Sequence, residues 1–365
     1  MANIFIRTNI APYRVDTYNA LHERLGMLMC FYEREGTDQK FDIDALEKEC
    51  IFKPMYLDGK TFGSMNRKWC KGLWKMLKRE KPEVVIVPEF QISAIQVLLH
   101  RWLTRGKYKV VSMTDDSYDM ITQGNDFTKL HGWLRTHISK YFDDFIVVTP
   151  EVERWYQQKY GKGIWLPIIM DDSKMEIYYE NLLPKSRELA AKYSLEKKKV
   201  LLSVSRLVDL KNIHRVIDAF AKAKTDATLV IVGDGPEREA LKEHAAKVNK
   251  EIVFTGRYNG DELYAWYNLA SVFILASFLE PFGAVVNEAL LGGCRVIVSE
   301  RAGSSCLVNE ENGEIVDPLS VEGITNAIDR QFSLTSVPNL TTPRQNNMYV
   351  IFEERINNLV YNLIH

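Results

Sequence analysis

The sequence predicts an α/β protein with two doubly wound parallel sheets. Short apolar runs rich in Val and Ile alternate with amphipathic stretches of helical length, and the alternation restarts after a polar stretch at 171–185. Buried strands separated by helices indicate parallel pairing, because a parallel pair needs a crossover connection of helix length. The length of 365 residues agrees with two domains, since a typical domain holds roughly 150 residues.

The first predicted domain spans residues 1–170. Its strands are expected where apolar, β-branched runs occur, at 3–7, 27–32, 84–88, 109–113, 145–148 and 164–166. Its helices are expected where apolar residues recur at helical spacing, at 13–25, 66–79, 92–103 and 127–141.

The second predicted domain spans residues 171–340 and repeats the pattern. Its strands are expected at 200–205, 228–232, 252–254, 272–275 and 295–299, and its helices at 212–224, 237–250, 260–269, 283–291 and 321–332. Residues 341–365 also carry apolar side chains at helical spacing, which predicts a terminal helix.

Composition excludes several classes of protein. With 47 basic and 48 acidic side chains, the chain lacks the basic excess of a general nucleic-acid binder. No apolar run is long enough for a membrane-spanning helix, and the first residues are expected to form a strand, not a signal peptide. Five cysteines without a C-x-x-C pair argue against a disulfide framework or a zinc site and favour a reducing cytoplasm.

The strand at 200–205 is followed by two cations. Arg206 comes directly after the strand and Lys211 lies where the next helix begins, with Asp209 as a candidate N-cap. A guanidinium, an ammonium and a helix N-terminus all favour negative charge, so this pair suits a diphosphate. The alternative is that both are solvated loop charges.

A second group of residues follows the fourth predicted strand of this domain. Glu280 lies in the predicted loop, and Glu288 lies about two turns into the predicted helix. Gly283 has no Cβ, so the backbone N–H groups of Phe282, Gly283 and Ala284 could approach an anion closely. The helix dipole gives little stabilisation beyond the first turn, so helix stability does not explain Glu288. The alternative is an ordinary turn with Glu288 in solvent.

Four segments of the second domain occur in a characteristic order. They are Arg206-x4-Lys211, VIVGDGP at 230–236, FTG at 254–256, and Glu280-x7-Glu288. Together they resemble the nucleotide-binding half of the family 4 glycosyltransferases, densely over 198–318 and more loosely over 1–170. The resemblance implies the GT-B architecture, in which two Rossmann-like domains face each other across a cleft, and retaining transfer of sugar from a nucleotide sugar.

The resemblance also implies roles for individual residues. Arg206 and Lys211 would bind the donor diphosphate and stabilise the leaving nucleoside diphosphate. Glu280 would contact hydroxyls of the donor sugar, and Glu288 would accept hydrogen bonds from the ribose diol. The backbone around Arg257 would contact the base.

Gly233 and Gly235 would allow the backbone to pack near the nucleotide. They also form part of a dinucleotide fingerprint, but Arg238 occupies the third glycine position, so the case for NAD is weak. Members of the family usually need no metal, and we expect no cofactor besides a donor of UDP or GDP type. The terminal segment, 341–365, would return to the first domain.

The first domain departs from the family pattern at two positions. Its first loop has no glycine, and Arg14 is a candidate to supply charge on the acceptor side; the alternative is a helix start packed in the core. After the strand at 109–113, relatives often present a histidine, whereas this chain has Asp115. A carboxylate there could orient a hydroxyl or accept its proton, or it could cap the following turn.

Residues 60–82 carry eight basic side chains and one acidic one. A basic amphipathic helix with tryptophan can lie on an anionic bilayer, where each cation adds about 1 kcal/mol. The side chains expected at an acceptor or membrane surface are Trp69, Trp74, Lys71 and Lys75. The alternative is a helix that packs its apolar stripe on the sheet and solvates its lysines.

The sequence therefore predicts a retaining hexosyltransferase that uses a nucleotide diphosphate sugar. Its expected acceptor is a glycan or glycolipid of the cell envelope, lipid-linked, and its expected place is the cytoplasm or the inner face of the membrane. A nucleotide-sugar epimerase on the same fold and a non-catalytic nucleotide-sugar-binding subunit are the alternatives. The donor sugar, base and acceptor stay open.

Overall fold

The computed structural model describes residues 2–34, 42–62, 67–122 and 129–365. These divide into two compact units, unit 1 with Met1–Met170 and Phe352–His365, and unit 2 with Asp171–Ile351. Each unit is a doubly wound α/β domain with a parallel sheet, as the sequence predicts.

The main sheet of unit 1 has the strand order β3-β2-β1-β6-β7-β8-β9, and all its neighbours pair in parallel. The strands of unit 1 are β1 Ile4–Arg7, β2 Leu28–Phe31, β3 Met55–Tyr56, β4 Gly59–Phe62, β5 Arg67–Cys70, β6 Val84–Pro88, β7 Lys109–Met113, β8 Asp144–Val147 and β9 Ile164–Trp165. Its first helices are α1 Val15–Leu25, α2 Ile43–Glu49, α3 Leu73–Glu80, α4 Ile92–Thr104, α5 Tyr118–Thr122, α6 Lys129–Ile138 and α7 Pro150–Tyr160. The winding direction reverses between β1 and β6, which opens a crevice beyond their carboxyl ends.

The helix predicted at 66–79 is wrong in its first half. Residue 66 lies outside the described residues, and β5 forms an antiparallel hairpin with β4, so the helix begins only at Leu73. The reason is tertiary: the Gln96 side chain on α4 accepts from the Cys70 amide at 2.8 Å and donates to the Cys70 carbonyl at 3.2 Å. Gln96 thus acts as a strand neighbour for β5, and Gly72, at a φ of +78°, turns the chain into α3.

Unit 2 repeats the architecture with the strand order β12-β11-β10-β13-β14-β15. Its strands are β10 Val200–Val204, β11 Thr228–Val232, β12 Ile252–Gly256, β13 Val272–Leu275, β14 Arg295–Ser299 and β15 Gly313–Val316. Its helices are α8 Asp172–Asn181, α9 Leu183–Lys192, α10 Ile213–Lys222, α11 Arg238–Ala245, α12 Gly260–Leu269, α13 Val285–Leu291 and α14 Val321–Ser333. The winding direction reverses between β10 and β13, so the ligand crevice of this sheet lies at their carboxyl ends.

The terminal helix, α15 Phe352–Ile364, packs on α1 and β9 of unit 1. The Arg24 side chain on α1 donates to Glu353 and Asn357 of α15, both at 2.5 Å. Residues 341–351, which the predicted segment 341–365 includes, are not helical. They belong to unit 2, where the Arg344 guanidinium donates to several main-chain carbonyls, including that of Ala270 at 2.7 Å.

Candidate active site

The carboxyl ends of β10 and β13 bring Lys211 and Glu280 into contact. The Lys211 ammonium donates to Glu280 Oε2, and the two side chains are 18% and 14% exposed. Lys211 ends a 3-10 turn at Asp209–Lys211, and Glu280 lies in the loop that follows β13. The contact joins a cation and a carboxylate, both largely shielded from water, at the point where open α/β sheets bind ligands.

Asn212 fixes the loop that carries Lys211, and sequence reasoning missed it. Its backbone is left-handed, with a φ of +59°, which asparagine tolerates better than most residues. Its buried side-chain amide donates to the carbonyls of Ala276 at 3.0 Å and Pro318 at 2.8 Å. The loop after β10 is therefore tied to the end of β13, which sets the position of Lys211 relative to Glu280.

Gly233 and Gly235 pack against the loop that holds Arg206. A Cβ on Gly233 would lie 1.8 Å from the Ser205 carbonyl oxygen, and one on Gly235 would lie 2.3 Å from that of Leu207. Backbone hydrogen bonds join the same two loops, such as the one from the Leu207 amide to the Asp234 carbonyl at 2.9 Å. The close approach that these glycines permit is thus between two strand-end loops, and Arg206 lies exposed on one of them.

The main chain of Glu280 is held by the segment after β14. The Glu280 amide donates to the Arg301 carbonyl at 3.3 Å, and the Gly303 amide donates to the Glu280 carbonyl at 3.1 Å. Gly283, at a φ of +90°, turns the chain where a Cβ would meet the Leu275 side chain at 2.7 Å. The positive φ favours glycine at this position, and any Cβ would also force the Leu275 side chain to move.

The helix expected from residue 283 begins at Val285. Phe282, Gly283 and Ala284 therefore precede it, with Ala284 as the N-cap and the Phe282 side chain buried. Because of this later start, Glu288 lies in the first turn of α13 instead of two turns into it.

Glu288 is buried, so the alternative in which it lies in solvent is wrong. The Tyr267 hydroxyl on α12 donates to Glu288 Oε2 at 2.7 Å, and the Tyr179 hydroxyl on α8 donates to its main-chain carbonyl at 2.6 Å. Burial raises the pKa of Glu288 to about 7, against the lowering effect of the Tyr267 hydrogen bond. Its carboxyl is thus poised to change charge near neutral pH.

Arg257 lies just beyond β12, which is two strands from β10 in the sheet order. Its side chain is exposed and donates to Asn259 Oδ1 at 3.2 Å. The structure therefore does not bring it into the Lys211–Glu280 contact, although both lie along the same edge of the sheet.

In unit 1, Asp115 lies at the end of β7 and binds two arginines. Arg7 Nη2, at the end of β1, donates to Asp115 Oδ2 at 2.7 Å, and Arg14 Nη2 donates to Oδ1. Burial alone would raise the pKa of Asp115, but Arg14 and Arg7 outweigh it and hold the pKa below its usual range. Both carboxylate oxygens accept from guanidinium groups, so the structure pairs Asp115 with Arg7 and Arg14.

Arg14 is not a surface residue. Only 1% of its side chain is exposed, because Pro12–Arg14 form a 3-10 turn that leads into α1 and carries Arg14 inward. Because it is buried, Arg14 does not face an acceptor or a membrane, and that expectation is wrong. The alternative, a helix start packed in the core, is confirmed. Arg7 was missed, although a charged residue that ends an apolar strand marks the carboxyl edge of a parallel sheet.

The basic segment around α3 divides its side chains between the core and solvent. Leu73, Met76 and Leu77 lie in the core of unit 1, which is the alternative that the sequence left open. The four candidate surface residues stay outside: Trp69 and Trp74 are 41% and 38% exposed, and Lys71 and Lys75 are exposed.

Residues 185–342 match the family model described as glycosyl transferases group 1. This part of the chain belongs to that family. The matched segment contains β10–β14 and hence Arg206, Lys211, Glu280 and Glu288.

Curated relatives match about a third of the chain. An uncharacterized glycosyltransferase of Methanocaldococcus jannaschii is 36% identical over 140 residues, which is 37% of this chain and 36% of that protein. The alpha-monoglucosyldiacylglycerol synthase of Streptococcus pneumoniae is 38% identical over 128 residues, 33% of this chain and 28% of that protein. The matches thus span about a third of the length of these relatives.

Solved structures resemble the chain over its whole length. The crystal structure of Anabaena HepE in complex with UDP and glucose has a TM-score of 0.71 at 15% identity and covers 100% of this chain and 99% of that one. The apo form of the lipopolysaccharide outer core galactosyltransferase WaaB has a TM-score of 0.68 at 16% identity, with 99% of each chain covered. At these identities the likeness shows the fold, which is the predicted GT-B type with two Rossmann-like domains.

Proposed function

We propose that this protein is a retaining glycosyltransferase that uses a nucleotide diphosphate sugar. The observation that carries the proposal is the Lys211–Glu280 contact, which lies at the ligand-binding edge of the unit 2 sheet within the segment that matches group 1 glycosyl transferases. The GT-B fold and the relatives named as glycosyltransferases support it.

The donor diphosphate would bind at the end of β10. Lys211 is largely shielded from water, so its attraction to a phosphate is screened less than that of a surface lysine. Together with the exposed Arg206, it would stabilise the charge that develops on the leaving nucleoside diphosphate. The ion pair with Glu280 keeps the ammonium oriented before the donor arrives, and Glu280 would use its second oxygen to accept from a hydroxyl of the donor sugar.

The rest of the donor would extend along the same sheet edge. Glu288 would accept from the ribose, the backbone near Arg257 would contact the base, and Phe282–Ala284 would face the phosphates. Gly233 and Gly235 would contribute indirectly, because they hold the Arg206 loop in place. The donor is of UDP or GDP type, and no metal or further cofactor is part of the proposal.

Unit 1 would bind the acceptor, with Asp115 as an orienting carboxylate. A carboxylate whose pKa is held low by two arginines is a weak base, so it is better suited to accept a hydrogen bond from a sugar hydroxyl than to remove its proton. This favours the first of the two roles that the sequence left open for Asp115.

We further propose a lipid-linked envelope glycan as the acceptor and the inner membrane face as the site of action. The S. pneumoniae relative is named an alpha-monoglucosyldiacylglycerol synthase, and a Mycobacterium tuberculosis relative, 32% identical over 154 residues, is named a phosphatidylinositol monomannoside mannosyltransferase. Within the described residues, no helix is long and apolar enough to span a bilayer. Trp69, Trp74, Lys71 and Lys75 would make peripheral contact with anionic lipid.

A ligand screen followed by a turnover assay tests the proposal. UDP, GDP, ADP and CMP are added to the purified protein, and the melting temperature is compared with those of Lys211→Ala and of Lys222→Ala, an exposed lysine at the far end of α10. We expect one nucleoside diphosphate to stabilise the wild type and Lys222→Ala but not Lys211→Ala. The absence of any stabilisation in the wild type would overturn the donor site.

Turnover of the matching nucleotide sugar then separates the enzyme classes. Release of nucleoside diphosphate that depends on a glycolipid acceptor supports a transferase. Conversion of the donor to its epimer without acceptor would show the nucleotide-sugar epimerase instead. Tight donor binding without turnover under either condition would show a non-catalytic binding subunit.

A further inference from the structure

We propose that Tyr267 is a positioning residue that holds the Glu288 carboxylate in place and thereby sets how strongly the donor site selects a ribose over a nucleotide without ribose hydroxyls. The inference rests on the proposed donor site and adds a specificity-determining residue to it. Tyr267 lies on α12, whereas Glu288 lies in the first turn of α13.

The two side chains form a buried hydrogen bond between neighbouring helices. Tyr267 is fully buried, Glu288 is 9% exposed, and the Tyr267 hydroxyl donates to Glu288 Oε2 at 2.7 Å. A buried phenol that donates to a carboxylate forms one of the stronger kinds of protein hydrogen bond, because the acceptor is charged. The bond holds Oε2 in place and so restrains the orientation of the carboxylate.

Close packing leaves the Tyr267 ring little freedom. A Cβ on Gly292, just after α13, would lie 2.8 Å from the Tyr267 Cβ and 3.2 Å from the ring of Tyr179. The end of α13 therefore packs closely against Tyr267 of α12 and against the Tyr179 side chain of α8. The buried Tyr267 side chain therefore has little space in which to move away from Glu288.

The two carboxylate oxygens of Glu288 have different hydrogen-bond partners. Oε2 accepts from Tyr267, and among the described residues no donor is bonded to Oε1. Oε1 is therefore the oxygen of this carboxylate that can accept a hydrogen bond from a ligand. A ribose hydroxyl would donate to Oε1, and Tyr267 would keep that oxygen in the right direction.

The charges around Glu288 make its protonation sensitive to Tyr267. Several titratable and charged groups lie on the elements packed against α13: Asp261, Glu262, Tyr264 and Tyr267 on α12, Asp172, Lys174, Glu176, Tyr178, Tyr179 and Glu180 on α8, Arg295 in β14 with Cys294 just before it, and Cys306 in the turn Gly303–Leu307. Burial raises the pKa of Tyr179 and Tyr267 above their usual range and that of Cys294 to about 11, so none of these three titrates near neutrality. Glu288, with its pKa of about 7, titrates near neutrality. Loss of the Tyr267 hydrogen bond would raise the pKa of Glu288 further, because that bond lowers it.

A matched pair of tyrosine variants tests the proposal. Tyr267→Phe removes the donor to the carboxylate, whereas Tyr179→Phe removes an equally buried donor that bonds only the main chain of the same residue. Dissociation constants are measured by calorimetry between pH 6 and 8.5 for UDP and GDP and for their 2′,3′-dideoxy counterparts. In parallel, the Glu288 carboxyl is titrated by carbon-13 NMR in the ligand-free protein.

In Tyr267→Phe we expect the binding of the cognate nucleoside diphosphate to weaken by about five- to tenfold at pH 7, the loss typical of one hydrogen bond. Binding of the dideoxy counterpart should stay within about twofold of the wild type, because that ligand makes no ribose hydrogen bond. The midpoint of the pH dependence and the NMR titration of Glu288 should both move upward. Tyr179→Phe should keep the wild-type preference for ribose and the wild-type midpoints.

Two results would overturn the inference. One is an unchanged ribose preference and an unchanged Glu288 titration in a folded Tyr267→Phe protein. The other is an equal loss for both nucleotides in both variants, which would show a purely structural role for the two tyrosines. If neither UDP nor GDP binds the wild type, the donor site itself fails, and the NMR titration still reports whether Tyr267 controls the Glu288 carboxyl.

Discussion

Gly233 lies so close to Ser205 that a Cβ on the glycine would stand 1.8 Å from the serine carbonyl oxygen. Gly233 directly follows β11 and Ser205 directly follows the neighbouring strand β10, and the Ser205 amide donates to the Val232 carbonyl at 3.1 Å. The loop with Arg206 begins at this contact. The position of a candidate phosphate-binding arginine thus depends on the absence of one carbon atom in the next loop.

Gly233→Ala should therefore lower both stability and donor affinity. We expect the free energy of unfolding to fall by about 3 kcal/mol, since the new Cβ must displace main chain and the φ of +147° is unfavourable for alanine. Gly260→Ala is the control: its φ is +53°, but a Cβ there meets nothing within 4 Å, so it should cost only about 1 kcal/mol. Equal losses in urea denaturation would refute the steric explanation.

Glu280→Gln should reduce turnover while the fold is kept. The amide has the same shape but no charge, so Lys211 loses its ion pair and the donor sugar loses a strong acceptor. We expect kcat to fall by about a hundredfold, as for other electrostatic active-site groups. Glu251→Gln breaks the more exposed Lys198–Glu251 pair and should leave kcat unchanged; a similar fall in that control would contradict the assignment of Glu280.

Variants of Asn212 test whether its side-chain hydrogen bonds hold the loop after β10 in place. Asn212→Gly keeps the left-handed backbone but removes two buried hydrogen bonds, so unfolding should become easier by about 2 kcal/mol. Asn212→Ala should cost about 1 kcal/mol more, because alanine resists the φ of +59°. Nucleoside diphosphate affinity should fall in both as Lys211 loses its support. Wild-type affinity in Asn212→Gly would show that the anchor does not position Lys211.

The Asp115 cluster should be visible in acid unfolding. A carboxyl whose folded pKa is lowered stabilises the fold fully above its unfolded pKa of about 3.9, and that contribution disappears as the pH falls through the lower folded value. Asp115→Asn should destabilise the protein by about 3 kcal/mol at pH 7, because buried Arg14 keeps its charge without a counter-ion. The difference from wild type should shrink below about pH 4.

Asp44→Asn is the control for that measurement, since it removes an exposed partner of Arg34. Water screens a surface pair of this kind, so the unfolding curve of the variant should follow that of the wild type at every pH. If Asp115→Asn behaves like Asp44→Asn, the two arginines do not depend on Asp115 for their charge balance.

The membrane proposal predicts a dependence on local charge. The double variant Lys71→Glu with Lys75→Glu should bind vesicles with anionic lipid at least about tenfold more weakly, since each juxtamembrane cation contributes about 1 kcal/mol. Lys48→Glu with Lys53→Glu changes the net charge equally at exposed positions elsewhere in unit 1. Co-sedimentation that falls to the same extent in both would indicate a general charge effect and not a binding surface.

Much of the site could be predicted because the ends of strands can be recognised in the sequence. Arg206, Lys211 and Glu280 follow apolar runs, and the carboxyl ends of parallel strands share one edge of the sheet. The start of α13 could not be predicted, because Gly283, Ala284 and Val285 carry no distinguishing helix signal. The hairpin before α3 was missed since Gln96, which pairs with Cys70, comes from a helix later in the chain.

By itself, the sequence determined the two α/β units, the order of their elements and the strand ends that carry the candidate site residues. It did so because the periodicity of apolar residues indicates which faces are buried. Only the tertiary structure decided that Arg14 is buried against Asp115, that Tyr267 bonds Glu288, and that Gly233 meets Ser205. The physical reason is that strand order and helix packing choose the partners. Arg14 and Asp115 are 101 positions apart, and no local pattern at either position specifies the other.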